Sequence, residues 1–326
     1  MKSFNVVMHM VTSVVLMAIA GFAAAQQVYP SKPIRFITPY AAGGTTSVIA
    51  RLVGHKLTES WGQQVLIDNR GGGNTMIGTD ALAKSAPDGY TIILVGGAHV
   101  LVPLLYKAPY DPIRDFAPVA TVGSGQFVLV LNPSVPANNL QEFIALAKSN
   151  AAQLNHASAG SGSLGHLAIE RFNSLVGVRI QNISYKGAGP ALTDLLGGQV
   201  QMYFSTTVTA IPHINSGKLK VMAITGEKRL PALPNVPTFA EAGLAGMAKL
   251  GGYYGILAPA ATPKPIVDKL SAEIGKYLAQ PDFQETLVSQ GLTPHVASPE
   301  QYAALLKEGL ATNASIIKNA NIKLEQ

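Results

Sequence analysis

Short apolar runs alternate with amphipathic segments along most of the chain. The apolar runs predict eight strands: Ile34–Pro39, Val65–Asp68, Thr91–Val95, Phe127–Leu131, Ile180–Tyr185, Met202–Ser205, Lys220–Thr225 and Tyr254–Ala258. The amphipathic segments predict eight helices: Ser47–Ser60, Met76–Ser85, Leu140–Asn150, Leu164–Val176, Ala191–Leu196, Pro263–Ala279, Asp282–Gln290 and Pro299–Asn319. The strands are almost continuously apolar, which is typical of strands covered on both faces. The alternation predicts an α/β fold with a mostly parallel sheet flanked by helices.

Two glycine-rich loops each lie between a predicted strand and a predicted helix. The first runs from Pro39 to Ser47 and the second from Ser158 to Gly165. Both offer hydroxyl groups and free backbone N–H groups at a helix N-terminus, where the helix dipole favours an anion. In an open parallel sheet such loops lie beyond the carboxyl ends of the strands, where ligands bind. One loop alone could equally be a tight turn, but two of them favour a shared ligand cleft.

The domain organisation shows no repeat period and no low-complexity linker. This is typical of lobes joined by ordered strands rather than of domains on a flexible tether. The turn-rich segments Thr121–Gln126 and Gly226–Pro237 are the predicted crossings between lobes. We therefore predict a first lobe made of residues 26–126 and 228–326, to which the C-terminal helices return, and a second lobe made of residues 127–227.

Residues 1–25 are predicted to be a signal peptide. The apolar run from Val11 to Phe22 is too short for a comfortable membrane span. It is followed by Ala23-Ala24-Ala25, which fits the small-x-small cleavage rule. We expect cleavage after Ala25 and export of the mature chain to the periplasm, with an uncleaved membrane anchor as the alternative.

Composition narrows the classes of partner and of chemistry. Of the 326 residues, 48% are hydrophobic and only 13% are charged, against about a quarter charged in typical soluble domains. The net charge is +6 and no run of Lys or Arg exceeds two residues, which argues against nucleic acid as a partner and against a polybasic membrane patch. The absence of cysteine excludes disulfides, thiolate metal sites, iron–sulfur clusters and cysteine nucleophiles.

No motif indicates catalysis. Residues 160–165 match the G-x-G-x-x-G dinucleotide fingerprint, but residues 183–186 lack the acid that would bind the ribose. His166 and Glu170 are spaced for one helix face, which favours a helix-surface or capping role over a metal site without a third ligand. His99 follows a predicted strand and faces the cleft, with packing behind the ligand as its alternative. Neither glycine-rich loop contains an acid, so we expect a binding cleft with no catalytic residue, no metal and no cofactor.

Eight segments follow one another in a specific order and spacing: Pro39–Arg51, Asn69–Gly73, Ala86–Thr91, Tyr110–Phe116, Tyr185–Gly187, Leu192–Gln199, Leu233–Thr238 and Ala258–Pro263. In these segments the chain resembles the periplasmic receptors of the tripartite tricarboxylate transporter system, the Tct or Bug-type receptors. The resemblance implies a two-lobed periplasmic binding protein fold, type II-like, with a ligand cleft between the lobes. It also implies a solute receptor that delivers a small organic acid to integral-membrane permease subunits. A receptor that signals to a sensor kinase is the alternative that the sequence leaves open.

The resemblance also implies ligand contacts from both lobes. The first lobe would contribute Tyr40, Ala42, Gly43, Thr45, Thr46, Ser47 and Ala98, and the second Ser158, Ser161, Gly162, Ser205 and Thr206, with Tyr253 as a wall of the pocket. Ser47 and Ser205 are neutral where many relatives carry an acid. A ligand ammonium group would lack its partners there, so we expect a mono-, di- or aromatic carboxylate rather than an amino acid.

Overall fold

The computed structural model describes residues 29–248 and 250–319, so the predicted signal peptide lies outside the described residues. Ten strands are present in this part of the chain: β1 (Ile34–Thr38), β2 (Val65–Asn69), β3 (Thr91–Val95), β4 (Phe116–Leu131), β5 (Asn155–Ser158), β6 (Gln181–Ser184), β7 (Met202–Thr206), β8 (Lys220–Ile224), β9 (Gly251–Pro259) and β10 (Leu292–Pro294). The α-helices of the same residues are α1 (Thr45–Trp61), α2 (Met76–Ala83), α3 (Ala98–Leu105), α4 (Leu140–Asn150), α5 (Leu164–Val176), α6 (Ala188–Leu196), α7 (Thr207–Asn215), α8 (Lys264–Leu278), α9 (Pro281–Ser289) and α10 (Pro299–Asn319).

The strands form one sheet in the order β2-β1-β3-β9-β4-β7-β5-β6, and β8 and β10 also pair with β4. Strands β1 to β3 are parallel to one another, and so are β5 to β7. The two central strands, β4 and β9, are antiparallel to each of their neighbours. The predicted α/β class is therefore confirmed, but the sheet is mixed rather than mostly parallel.

Strand β4 carries the chain from one part of the sheet to the other. Residues 116–126 pair with β9, and residues 127–131 pair with β7 and β8. The segment Thr121–Gln126, predicted as a turn-rich crossing between lobes, is therefore part of a continuous strand, and its glycines serve close packing there rather than a turn. A Cβ atom on Gly123 would lie 2.9 Å from the Thr293 carbonyl oxygen, and one on Gly125 would lie 2.7 Å from the Tyr254 ring.

Each part of the sheet has its own apolar core, which gives the two-lobed fold. The first lobe contains β1 to β3, β9, β10 and residues 116–126, and its core includes Phe36, Leu57 and Leu270. The second lobe contains β5 to β8 and residues 127–131, and its core includes Phe172 and Phe204. Helices α8 and α9 pack into the core of the first lobe, and α10 packs beside them on that lobe.

The segment after β8 still packs on the second lobe. Leu230, Leu233 and Val236 cluster with Ile224, and Phe239 lies in the core of the second lobe. This packing favours a return of the chain to the first lobe at β9, later than residue 228. The exact lobe boundaries stay a prediction.

Helix ends agree with the local signals of the sequence. Ser298 and Gln301, with the S-x-x-Q spacing, form a capping box: the Ser298 N–H donates to Gln301 Oε1 (2.9 Å) and the Gln301 N–H donates to Ser298 Oγ (3.3 Å). Helix α1 ends at Gly62, which has the left-handed φ of 65° typical of a C-terminal glycine. Helix α7 was not predicted, because it begins with β-branched residues and contains Pro212.

Candidate functional site

The first glycine-rich loop ends at the N-terminus of α1. Gly44 is the N-cap residue, and no side chain caps this helix. Thr46 and Ser47 are only 2% and 1% exposed, and their hydroxyl groups have no hydrogen-bond partner among the described residues. Free N–H groups beside unpaired hydroxyls at a helix N-terminus are suited to binding an anion.

The second glycine-rich loop is held in place by the first turn of α5. The His166 N–H donates to Ser163 Oγ (3.2 Å), and the Gly162 N–H donates to His166 Nδ1 (2.9 Å). The predicted capping role of His166 is therefore confirmed. Gly160 and Gly162 have φ values of 143° and 78°, which L side chains rarely adopt, so glycine is required at both positions.

A small cavity of about 70 Å³ lies where the two loops meet. The N-termini of five helices, α1, α3, α5, α6 and α7, contribute to its wall. The lining residues are Tyr40, Gly44, Thr45, Thr46, Gly96, Gly97, Ala98, Phe127, Ala159, Ser163, Leu164, Gly165, Ala188, Tyr203, Phe204, Thr206 and Tyr254. Both lobes therefore enclose the same space.

The charge around this cavity is unusual because the helix dipoles are not compensated. None of the five helices has an acidic residue in its first turn, and no charged side chain lines the cavity. Of the other five helices in the described residues, three carry such an acid, Glu142 in α4, Asp282 in α9 and Glu300 in α10, whereas α2 and α8 do not. Each helix N-terminus stabilises a nearby anion by about 0.3–1 kcal/mol. Five of them around an uncharged cavity are suited to a negatively charged group.

Three tyrosines, Tyr40, Tyr203 and Tyr254, add neutral hydrogen-bond donors to the cavity. Burial raises the pKa of the Tyr40 and Tyr203 phenols well above their usual range and raises the pKa of Tyr254 to about 12. The phenols therefore stay protonated at neutral pH and are able to donate to an anion. The Tyr254 ring lies close to Gly96 and Gly125, where a Cβ atom would approach it to 3.1 and 2.7 Å.

Hydroxyl groups connect the two lobes beside the cavity. Thr45 Oγ1 of the first lobe lies 2.6 Å from Thr206 Oγ1 of the second. Thr206 Oγ1 and Ser205 Oγ each lie 2.8 Å from Thr209 Oγ1. The loop at Ala42 also meets the N-terminus of α6, because a Cβ atom on Gly189 would lie 2.5 Å from the Ala42 carbonyl oxygen. The lobes are therefore in a closed arrangement.

The thirteen predicted contact residues occupy four different environments. Tyr40, Thr45, Thr46, Ala98 and Thr206 line the cavity. Ser47, Ser158 and Ser205 are buried but do not line the cavity, and the Gly162 N–H is bonded to His166. Ala42 and Gly43 are exposed and lie against α6. Ser161 and Tyr253 line a separate outer groove. Ligand contact by these residues stays a prediction.

The outer groove is much larger, about 1610 Å³, and is open to solvent between α5 and α10. Its lining includes the charged residues Glu170, Arg171, Arg179 and Glu308. Tyr253 is 39% exposed there, and its ring centre lies 4.7 Å from that of His295. The groove adjoins the cavity at Gly97 and Leu164 but lacks its ring of helix N-termini.

The prediction missed cavity residues that do not belong to the glycine-rich loops. Phe127, Tyr203 and Phe204 lie within β4 and β7, where their apolar runs indicated only a buried core. Gly96 and Gly97 follow β3, and this position after the carboxyl end of a strand was the available signal.

His99 packs against the rings of Tyr110 and Phe116. His99 is buried, and its Nε2 lies 2.8 Å from the Pro112 carbonyl oxygen, away from the cavity lining. Among residues 29–248 and 250–319, no three His, Asp or Glu side chains are grouped so as to hold a metal ion.

Comparison with known proteins gives a consistent family. A model of the tripartite tricarboxylate transporter family receptor, TctC, matches residues 49–322. The periplasmic binding protein BugD has a similar structure, with a TM-score of 0.87 and 36% identity over 91% of this chain and 100% of its own. An R. palustris protein, Rpa4515, solved with adipate, has a TM-score of 0.87 and 32% identity over 90% of this chain and 99% of its own.

A further structure, MatC from Rhodopseudomonas palustris with bound malate, has a TM-score of 0.83 and 33% identity over 89% of this chain and 100% of its own. The family match spans most of the chain, and these structures match it across both lobes. The chain therefore belongs to the tripartite tricarboxylate transporter receptors, a family of two-lobed solute-binding proteins.

Proposed function

We propose that this protein binds a small organic carboxylate in the cavity between its lobes and delivers it to the permease of a tripartite tricarboxylate transporter. The observation that carries the proposal is the convergence of five helix N-termini, none with an acid in its first turn, on an uncharged cavity. Backbone N–H groups, hydroxyls and phenols would hold the anion in place of Arg or Lys.

The chemistry of the cavity supports a plain carboxylate rather than an amino acid. No Asp or Glu lines it, so a ligand ammonium group would be desolvated without a partner. Phe127 and Phe204 offer apolar surface to the body of the ligand. The similar structures solved with adipate and malate hold dicarboxylates, which supports the same class here.

Binding is coupled to closure of the two lobes. Thr45 and Thr206 face each other across the lobes, and Leu164 of the second lobe approaches Gly97 of the first. A ligand that bonds to helix N-termini of both lobes stabilises this closed state and shifts the open–closed equilibrium toward it. The closed form would then be the species that the permease recognises.

The receptor is proposed to work in the periplasm after removal of residues 1–25 by cleavage behind Ala25. The similarity to BugD, a periplasmic binding protein, supports this location. Among the helices of the described residues, none combines the length and the hydropathy needed to cross a membrane. No Asp, Glu, His, Lys or Arg lines the cavity, which supports binding without catalysis.

Isothermal titration calorimetry of the mature protein tests the proposal. Malate, adipate and benzoate are compared with the diamide of malate and with aspartate. We expect at least one plain acid to bind, and the diamide and aspartate to bind at least tenfold more weakly. Tight binding of aspartate with no response to any plain acid would contradict the proposed ligand class.

A further inference from the structure

His166 occupies an unusual place at the start of α5. Ser163 is the N-cap residue, and His166 is the third residue of the helix, where a capping box has Glu or Gln. The His166 N–H donates to Ser163 Oγ, and its side chain reaches back to the Gly162 N–H at 2.9 Å. A titratable ring therefore replaces the usual carboxylate or amide.

The contact with Gly162 fixes the protonation state of the ring. A backbone N–H group only donates, so His166 Nδ1 must accept and carries no proton. The ring proton then lies on Nε2, which is 3.7 Å from Glu170 Oε1. A second proton on Nδ1 would place two donors against each other and break the bond to Gly162.

The segment that this bond holds includes part of the cavity wall. Ser163, Leu164 and Gly165 line the cavity, and the His166 side chain ties the residue just before them to the first turn of α5. Leu164 also contacts the first lobe, because a Cβ atom on Gly97 would lie 2.8 Å from its Cδ1. A loosened Gly162 would therefore disturb both the anion-binding N–H groups and the contact between lobes.

We propose that His166 is a positioning residue for ligand binding, and that protonation of its ring weakens binding by releasing the Gly162 N–H. The inference rests on the proposed function above. Histidine ordinarily changes charge between pH 5 and 8. Among the described residues, Glu170 and His156 interact with His166, and the charged residues Arg171, Arg179 and Glu308 line the same outer groove.

Titration of His156 does not contribute to the pH dependence that tests His166. Its Nε2 accepts the Phe204 N–H (2.9 Å), its Nδ1 bonds to Asn182 Oδ1 (3.0 Å), and burial lowers its pKa to about 3. It therefore stays neutral over the pH range in which His166 is tested.

The test compares His166→Asn with His166→Leu and with the wild type. The Asn side chain places an uncharged acceptor at the position of Nδ1, whereas Leu fills similar space without an acceptor. Dissociation constants for malate and adipate are measured by calorimetry from pH 5.5 to 8. The loss of one hydrogen bond predicts that Leu weakens binding about three- to tenfold at pH 8 while Asn does not. As the pH falls, the wild type should bind ligand more weakly relative to His166→Asn. The ratio of the two dissociation constants is compared because ionisation of the ligand affects both equally.

A ligand-free measurement separates this inference from the proposed function. Nitrogen-15 NMR of labelled histidine should show the His166 ring protonated on Nε2 at pH 8. The protection of the Gly162 amide against exchange, relative to the intrinsic exchange rate at each pH, should fall as the ring becomes charged. Three results would each overturn the role of His166. The first is equal affinity of His166→Asn and His166→Leu for the ligand, and the second is a ratio of wild-type to His166→Asn dissociation constants that does not change with pH. The third is a proton on Nδ1 at pH 8. Failure of every variant to bind any carboxylate would overturn the proposed function, while the NMR result still decides whether His166 holds the loop. Circular dichroism confirms that each variant is folded.

Discussion

At the scale of single residues, the unpaired hydroxyl of Thr46 indicates where a ligand binds. A buried polar group without a partner costs about 1–3 kcal/mol, and Thr46 Oγ1 is such a group in the wall of the cavity. Thr262 Oγ1 is also buried and unpaired, but it lies between β9 and α8, away from the cavity. A ligand oxygen would satisfy the first group and leave the second unchanged.

Thr46→Val should therefore weaken carboxylate binding about ten- to a hundredfold, because a hydrogen bond to a charged group is worth about 1.5–3 kcal/mol. The melting temperature without ligand should stay the same or rise, because an unsatisfied hydroxyl is removed. Thr262→Val is the matched control, with a similar effect on melting and none on affinity. Calorimetry and thermal denaturation measure the two quantities, and unchanged affinity of Thr46→Val would remove this residue from the site.

The buried histidines predict how stability depends on pH. Burial lowers the pKa of His99 to about 4, although its bond to the Pro112 carbonyl opposes the shift. An unfolded histidine binds a proton below about pH 6.5, so the unfolded state binds more protons than the folded state between about pH 6.5 and 4. The free energy of unfolding should therefore fall as the pH is lowered through this range. His156, with a pKa lowered to about 3, acts in the same direction.

Urea denaturation at pH 7.5, 6 and 5 measures this dependence. His99→Gln retains a donor for the Pro112 carbonyl but does not titrate, so its free energy of unfolding should fall less steeply than that of the wild type. His55→Gln is the control, because His55 lies on the exposed face of α1 with 71% of its side chain accessible. Equal slopes for His99→Gln and the wild type would show that His99 does not enter the pH dependence.

At the scale of elements, helix N-termini form much of the cavity wall, and the sequence predicted some of these N-termini but not others. The N-termini of α1 and α5 were predictable because a glycine-rich loop between a strand and a helix is a local signal. Helix α7 was missed, since its β-branched first turn and Pro212 resemble a loop. Glycines in β4 were mistaken for turns, because the side chains that approach them, such as Tyr254, come from distant parts of the chain.

Two of the three cavity tyrosines were missed for a related reason. Tyr203 and Tyr254 lie within strands β7 and β9, so their sequence neighbours indicate only a buried strand. Which face of the strand meets the other lobe depends on strand pairing, and no local pattern encodes it. Residues in loops were therefore easier to assign to the site than residues in strands.

The contact between α6 and the first loop predicts a loss of affinity without a large loss of stability. Gly189→Ala should weaken binding at least tenfold, because its Cβ atom would lie 2.5 Å from the Ala42 carbonyl oxygen when the lobes are closed. The free energy of unfolding without ligand should change by no more than about 1 kcal/mol, because the lobes are free to open and Gly189 lies in the first turn of α6, where the preference of a helix for Ala is opposed by the restriction on the residue before Pro190. Calorimetry and urea denaturation measure the two effects.

Gly275→Ala in α8 is the matched control, since no atom lies within 4 Å of its added Cβ. It should stabilise the helix and leave affinity unchanged. If Gly189→Ala bound ligand as tightly as Gly275→Ala, the bound state would not contain this contact between the lobes.

At the scale of the whole molecule, low charge and the two-lobed fold are connected. The chain is only 13% charged, and the cavity has no charged side chain at all. The two cores meet along β4 and β9, so the strands that join the lobes also place helix N-termini from both lobes around one space. Under the proposed function, the fold assembles an anion site from backbone dipoles of both lobes, which neither lobe contains alone.

A crystal structure of the mature protein grown with malate or adipate tests the central claim most directly. The account predicts a carboxylate in the cavity, with its oxygens within hydrogen-bond distance of backbone N–H groups at helix starts of both lobes and of Thr46 Oγ1. No Arg or Lys should contact it. A carboxylate bound to Arg171 or Arg179 in the outer groove, with the cavity empty, would contradict the account.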